Sequence, residues 1–179
     1  LAFKNCRDKI LKTNISIDAK KFNFKTKKTN TITYMPRKLS THSDNLIFFL
    51  RNSLPRTWKL KALHNLSEKK VYNSLLKSKI FLSFSNMEGL GMPPIEAAIA
   101  GNKVIGYPGQ GGKEYWQKPI FTEVQHGNLS KFINEIYLFI NNQNQSRQFI
   151  SARKKIINKY STGQEKRLLI KMINKIKRI

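Results

Sequence analysis

Along this chain, short apolar runs rich in β-branched and aromatic residues alternate with longer stretches whose apolar positions recur every three or four residues. Thr31-Ile-Thr-Tyr-Met35 alternates polar and apolar side chains and predicts a first strand, and 58–63 predicts a second. Lys79-Ile-Phe-Leu-Ser-Phe-Ser85 is apolar nearly throughout, as expected of a strand buried on both faces; 103–107 and a short 120–124 follow as fourth and fifth. Helical spacing predicts helices over 44–54 and 95–100, and another capped by Ser67 and running through Lys77, with Val71, Leu75 and Leu76 on one face. Leu129, Phe132, Ile133, Ile136, Tyr137 and Ile140 mark a further amphipathic helix, and 149–160 another. The tail, 162–179, alternates apolar residues with Lys166, Arg167, Lys171, Lys175, Lys177 and Arg178, which predicts a basic amphipathic helix. Strands alternating with helices in this way indicate an α/β fold, a parallel sheet with helices on both faces.

Composition sharpens that picture. A chain of 179 residues with 40% apolar content can form one domain with its own core. No apolar run approaches the length of a membrane span, and no signal peptide is visible. The single cysteine, Cys6, excludes an internal disulfide and fits a cytoplasmic setting. Three scattered histidines and one cysteine offer no metal constellation. Thirty-four basic residues against ten acidic ones leave a net charge of +24, which attracts phosphates of any kind. The lysines are dispersed rather than gathered in a stripe, so charge alone does not select nucleic acid over a nucleotide or an anionic lipid.

The chemistry concentrates in one window. Two of the ten acidic residues, Glu88 and Glu96, flank a Gly89-Leu90-Gly91 turn and a Pro93-Pro94 helix start, directly after the third strand. Strand, glycine turn and helix point backbone N–H groups and a positive dipole end at an anion. A Ser85-x-x-Glu88 capping box does not fit, because Gly89, Gly91 and two prolines follow in place of a helical run. Pro94 occupies the third glycine site of a dinucleotide fingerprint, and Gly112-Lys113 is followed by Glu114 where a P-loop needs Ser or Thr, so both of those motifs are excluded.

In order and spacing, Glu88-Gly89-Leu90-Gly91, Pro94, Glu96-Ala97-Ala98, Gly101 and Val104-Ile105 resemble the nucleotide-binding half of retaining GT-B glycosyltransferases of the group 1 type. Gly111-Gly112-Lys113-Glu114-Tyr115 is similar to that family's second glycine loop, and Ile17-Asp18 with Phe22 to the segment after its interdomain linker. The resemblance implies a Rossmann-like domain, one half of a GT-B fold, over 28–160. It implies an interdomain leader over 1–27, the tail helix over 161–179, and an acceptor-binding domain upstream of a fragmentary chain. It also implies a nucleotide-diphosphate sugar as donor, with no cofactor and no metal, because cations and a helix end take the place of Mg²⁺.

By the same resemblance, Glu88 accepts hydrogen bonds from the donor sugar and Arg37 binds its diphosphate. The family's second cation falls near His42, so either His42 or Lys38 stands in for it. Glycine turn residues Gly89, Leu90 and Gly91 approach the phosphates. Glu96 grips the ribose hydroxyls, although any Glu in a first helical turn also gains from the dipole. His64 follows the second strand, where relatives hold the base. Lys113 and Glu114 either face the donor sugar or start the next helix. Trp58 and Trp116 are expected to pack in the core or at its rim. The function expected is transfer of a sugar to a glycan, polysaccharide or lipopolysaccharide hydroxyl. The alternatives are a basic nucleic-acid-binding module, for which no binding motif is present, and a degenerate donor domain that only binds. The tail helix either covers a core or lies on an anionic membrane surface.

Overall fold

The computed structural model describes residues 13–22, 24–36, 38–87, 89–143 and 146–177. Five parallel strands form one sheet in the order β2-β1-β3-β4-β5. They are β1 (Thr31–Tyr34), β2 (Lys59–Ala62), β3 (Ile80–Ser85), β4 (Lys103–Pro108) and β5 (Phe121–Glu123). Between and after them lie α1 (Ser40–Ser53), α2 (Glu68–Lys77), α3 (Met92–Ile99), α4 (Gly109–Gly112), α5 (Leu129–Asn141), α6 (Arg147–Lys159) and α7 (Thr162–Ile176). The α/β architecture expected from the alternating periods is the one observed.

The two-residue period of the strands divides the core. Ile32, Tyr34, Ile80, Leu82, Phe84, Ile105 and Tyr107 point to one face, where α1 and α5 cover them with Leu46, Leu50, Phe132 and Ile136. Phe81 and Val104 point to the other, against Leu75 of α2, Ile95 and Ile99 of α3, and Phe149 of α6. Polar residues on that second face are buried but bonded: the Thr33 hydroxyl donates to the Ile80 carbonyl at 3.2 Å, and the Ser83 hydroxyl to the Tyr107 carbonyl at 2.9 Å. Gly106 is required where β4 crosses beneath α5. At φ +133°, an added Cβ would lie 2.1 Å from the Ser83 carbonyl oxygen and 2.6 Å from the Phe132 ring. Trp58 and Trp116 are both buried, as expected.

Three elements depart from the sequence reading. Helix α1 starts at Ser40 rather than 44, and Gly111 and Gly112, expected to open a glycine loop over 111–115, end the single helical turn Gly109–Gly112. Helix α3 starts at Met92 rather than 95. Pro93 and Pro94 fit there because the missing N–H groups belong to positions with no intrahelical acceptor, and the proline φ matches the helix. Ser67 does occupy the N-cap of α2, but its side chain makes no capping bond.

Ahead of β1, Asp18 caps a short 3₁₀ turn (Ala19–Lys21), while Ile17 and Phe22 are buried in the α2–α3–α6 face. At the foot of the sheet, Lys28 reaches into the same layer. Its Nζ donates to the Ser78 carbonyl at 2.6 Å and to the Leu75 carbonyl at 3.4 Å, closing the C-terminus of α2. Helix α7 buries no residue and leaves Leu169, Ile170, Ile173 and Ile176 exposed. Among the described residues, no helix is long and apolar enough to cross a membrane.

Candidate functional site

The chain passes from β1 outward to β2, then returns across to β3 on the opposite side of β1. The loops after β1 and β3 therefore diverge and leave a crevice at the carboxyl edge of the sheet, the place where open α/β sheets hold ligands. Met35, Lys38, Ser83, Ser85, Pro93 and Pro94 line this narrow crevice. The loop after β1 turns tightly: the Lys38 N–H donates to the Met35 carbonyl at 3.3 Å, and Leu39 enters α1 at φ 44°. Lys38 is thereby half-buried beside the start of α3. Two of the site residues expected from the sequence, Arg37 and Glu88, lie outside the described residues.

Gly89, Leu90 and Gly91 lie between the end of β3 and the start of α3. Gly91 is the N-cap of α3 in the left-handed region, φ 66° and ψ 75°, which a side chain disfavours. The Tyr115 hydroxyl donates to the Gly91 carbonyl at 2.9 Å and fixes the turn from behind. The donors available here differ from the simple helix-end picture. Pro93 and Pro94 have no N–H, so an anion at this end meets the amides of the glycine turn and Met92, with the helix supplying its dipole.

Glu96 is the fifth residue of α3, one turn deeper than the sequence reading put it, and no acidic residue lies in the first turn. It is partly buried, and desolvation raises its pKa above the usual carboxylate range. The Tyr72 hydroxyl and Lys21 oppose that rise, while Glu68 adds to it. The Tyr72 hydroxyl lies 2.8 Å from Glu68 Oε1 and 3.3 Å from Glu96 Oε1, and Lys21 Nζ is 2.9 Å from Glu68 Oε1. Sequence reasoning missed this cluster. Glu68 and Tyr72 are visible as an i, i+4 pair on α2, but nothing in the sequence shows that the pair reaches Glu96, 24 residues beyond Tyr72.

The remaining candidates separate. His64 is exposed after β2, on the far side of β1 from the glycine turn. Lys113 lines a different, open cavity of about 520 Å³ at the ends of β3, β4 and β5, with Ser85, Asn86, Tyr107, His126 and Lys131. His42 belongs to that side as well: its Nδ1 is 3.3 Å from the Tyr107 hydroxyl, and its ring centroid is 4.7 Å from that of His126. Glu114 turns away from the edge. Its Oε1 accepts from the Tyr160 hydroxyl at 3.1 Å and pairs with Lys159 Nζ at 3.7 Å. Among the described residues, no group of three or more His, Cys, Asp or Glu side chains could hold a metal ion.

The sequence model of the family described as glycosyl transferases group 1 matches residues 56–156, more than half of the chain, from before β2 through most of α6. No curated protein matches. Two solved structures share the fold. "Crystal Structure of TarM" is 19% identical over 92% of this chain and 38% of that one, with a TM-score of 0.58. "Crystal structure of GtfA/B complex" is 15% identical over 87% of this chain and 38% of that one, with a TM-score of 0.56. This chain therefore spans well under half the length of either structure. With the crevice at the edge of a five-stranded parallel sheet and the family match running through its glycine turn and Glu96, this chain belongs to the group 1 glycosyl transferases and has the fold of the carboxyl-terminal half of a GT-B enzyme.

Proposed function

We propose that this chain is the donor-binding half of a retaining glycosyltransferase. In this reading it binds a nucleotide-diphosphate sugar at the crevice between the β1 and β3 loops and presents the anomeric carbon to an acceptor hydroxyl. The observation that carries the reading is the seating of a partly buried carboxylate, Glu96, one turn below a left-handed glycine turn at the switch point of the sheet. A carboxylate there suits paired ribose hydroxyls, and the amides above it suit a diphosphate.

Within this proposal each group has a task. Glu96 holds the ribose, and the amides of Gly89, Leu90 and Gly91 approach the diphosphate. Arg37 and Lys38 add positive charge as the anomeric C–O bond breaks and negative charge builds on the leaving phosphate. Glu88 positions the sugar through its hydroxyls. No metal is needed for the leaving group in this scheme. His64 borders the base and Lys113 approaches the sugar from the β4 side. The acceptor pocket belongs to a second domain across the crevice, whose closure excludes water. The exposed row of Leu169, Ile170, Ile173 and Ile176 among the cations of α7 supports a peripheral contact with an anionic membrane surface.

Thermal unfolding of the full chain with a panel of uridine and guanosine diphosphates and their sugars tests the reading. At least one ligand should raise Tm, with the rise unchanged by chelator. Sugar transfer should need the acceptor-binding domain in addition. A panel that leaves Tm unchanged at millimolar ligand overturns the donor site. Transfer by these 179 residues alone overturns the two-domain scheme.

A further inference from the structure

Tyr72 sits on α2, the helix before β3, and its ring is buried against Phe22 at 4.7 Å between centroids. Lys21 lies over the same ring, 5.8 Å from its centroid. The ring is therefore held from the segment ahead of β1, and its hydroxyl is a fixed point rather than a free rotor. That hydroxyl faces two carboxylates, Glu68 Oε1 at 2.8 Å and Glu96 Oε1 at 3.3 Å. Lys21 Nζ, 2.9 Å from the same Glu68 oxygen, neutralises the nearer one and makes it tolerable beside the second.

A phenol has one proton to share. Glu68 and Glu96 compete for that proton, and because Lys21 already donates to Glu68, part of it is left for Glu96. One oxygen of Glu96 is then pinned, which sets the plane of the carboxylate. Glu96 is only partly buried, and in this scheme its other oxygen meets the diol. A carboxylate without such a pin loses rotamer freedom whenever it binds a vicinal diol, a cost that a fixed neighbour removes in advance.

We propose that Tyr72 is the positioning residue for Glu96, and that the Lys21–Glu68–Tyr72 chain sets how strongly the site selects a ribose over a deoxyribose. The inference rests on the donor-site reading above, in which Glu96 meets the ribose. It adds a residue on α2 and one from the segment before β1 to that site. Tyr72 touches no ligand in this scheme and acts only through Glu96.

The test uses the full chain and compares its affinity for UDP and GDP with that for their 2′,3′-dideoxy forms. The readout is the ratio of the two dissociation constants, because a merely structural role for Tyr72 would weaken both ligands alike. Tyr72→Phe keeps the buried ring and should lower the ratio roughly threefold to tenfold, the worth of one hydrogen bond. Glu96→Gln should lower it at least as far, and the double variant no further than Glu96→Gln alone. Should Tyr72→Phe fold poorly, Glu68→Ala leaves the ring untouched and removes the competing acceptor, so the ratio should rise; an unchanged or lower ratio refutes the chain. If Glu96→Gln collapses the ratio while Tyr72→Phe leaves it at the native value, the positioning role is wrong and the ribose contact stands. If Glu96→Gln leaves the ratio unchanged, or no ribonucleotide binds, the ribose reading falls and the inference with it.

Discussion

Lys28 lets a buried charge be read as a slope of stability against pH. Its ammonium lies under the C-terminus of α2, donating to the Ser78 and Leu75 carbonyls and 3.5 Å from Asn102 Oδ1. Burial, with the Arg153 guanidinium adding repulsion, pulls its pKa from 10.5 down to about 7. The unfolded chain therefore keeps this proton up to about pH 10.5, whereas the folded chain sheds it from about pH 7. Between those values the unfolded state binds more protons, so stability must rise with pH. Below pH 7 the full cost of burying the charge is present and constant. Lys103, lowered to about 8 by burial at the start of β4, acts in the same direction over a narrower window. Above pH 10 the effect reverses, because Tyr72, Tyr115 and Tyr160 are held protonated by burial and their contribution is lost as they ionise.

Integrating the difference in bound protons for Lys28 from pH 7 to about 9.5 yields roughly 3 kcal/mol of added stability. Lys103, more open to solvent, adds about 1 kcal/mol. Urea unfolding across that range, in about 0.5 M salt to screen the dispersed surface lysines, should show the midpoint moving upward. Lys28→Met fills the same space without a titrating group. It should sit near the native stability at pH 7, where the buried charge is costly, and fall behind at pH 9.5, where neutral Lys28 still donates to the two carbonyls. The native-minus-variant difference isolates Lys28 from the falling net charge, which both proteins share. A native midpoint that is flat or falling from pH 7 to 9.5 would refute the reasoning. So would a variant that keeps the whole slope.

Glu88 and Glu96 should divide their work. Glu96→Ala is expected to weaken nucleoside diphosphate and nucleotide-sugar alike, roughly tenfold or more for a lost charge-assisted contact. Glu88→Ala should weaken only the sugar-bearing ligand, and calorimetric titration showing equal losses on both would remove Glu88 from the sugar. Gly106→Ala should destabilise the domain by about 3 kcal/mol or more in urea unfolding, since the new Cβ meets a backbone carbonyl and cannot be relieved by a side-chain rotation. A cost below about 1 kcal/mol would mean that β4 and α5 separate far more easily than their packing implies.

What could be read from the sequence, and what could not, follows the range of the interactions involved. The third and fourth strands were legible because strands covered on both faces are apolar almost throughout, and two elements of that kind set the parallel α/β class. The glycine turn was legible because its constraints, positive φ at Gly91 and proline in the first helical turn, are local ones. The start of α3 lies three residues ahead of Ile95, where the sequence reading begins the helix, because Pro93 and Pro94 cost the helix no bond at these positions. Residues whose role depends on distant neighbours were not legible. Nothing in the sequence singles out Tyr72, and His42 reads as a substitute for a missing lysine, whereas the fold sets the first against Glu96 and the second against Tyr107 and His126.

That division has a physical consequence for how such a site changes. On the donor-site proposal, the groups that meet phosphate include backbone amides in one short window, and glycine and proline there answer to conformational demands that few other residues meet. Glu96, the carboxylate that the proposal assigns to the ribose, is contacted from outside the window by a phenol on α2, whose other carboxylate partner pairs with a lysine ahead of β1. A substitution at Tyr72, Glu68 or Lys21 leaves the glycine turn and the sheet intact, yet it alters the orientation and ionisation of Glu96. On this proposal phosphate affinity and ribose selection vary separately, the first through the glycine turn and the second through residues that the sequence window does not contain.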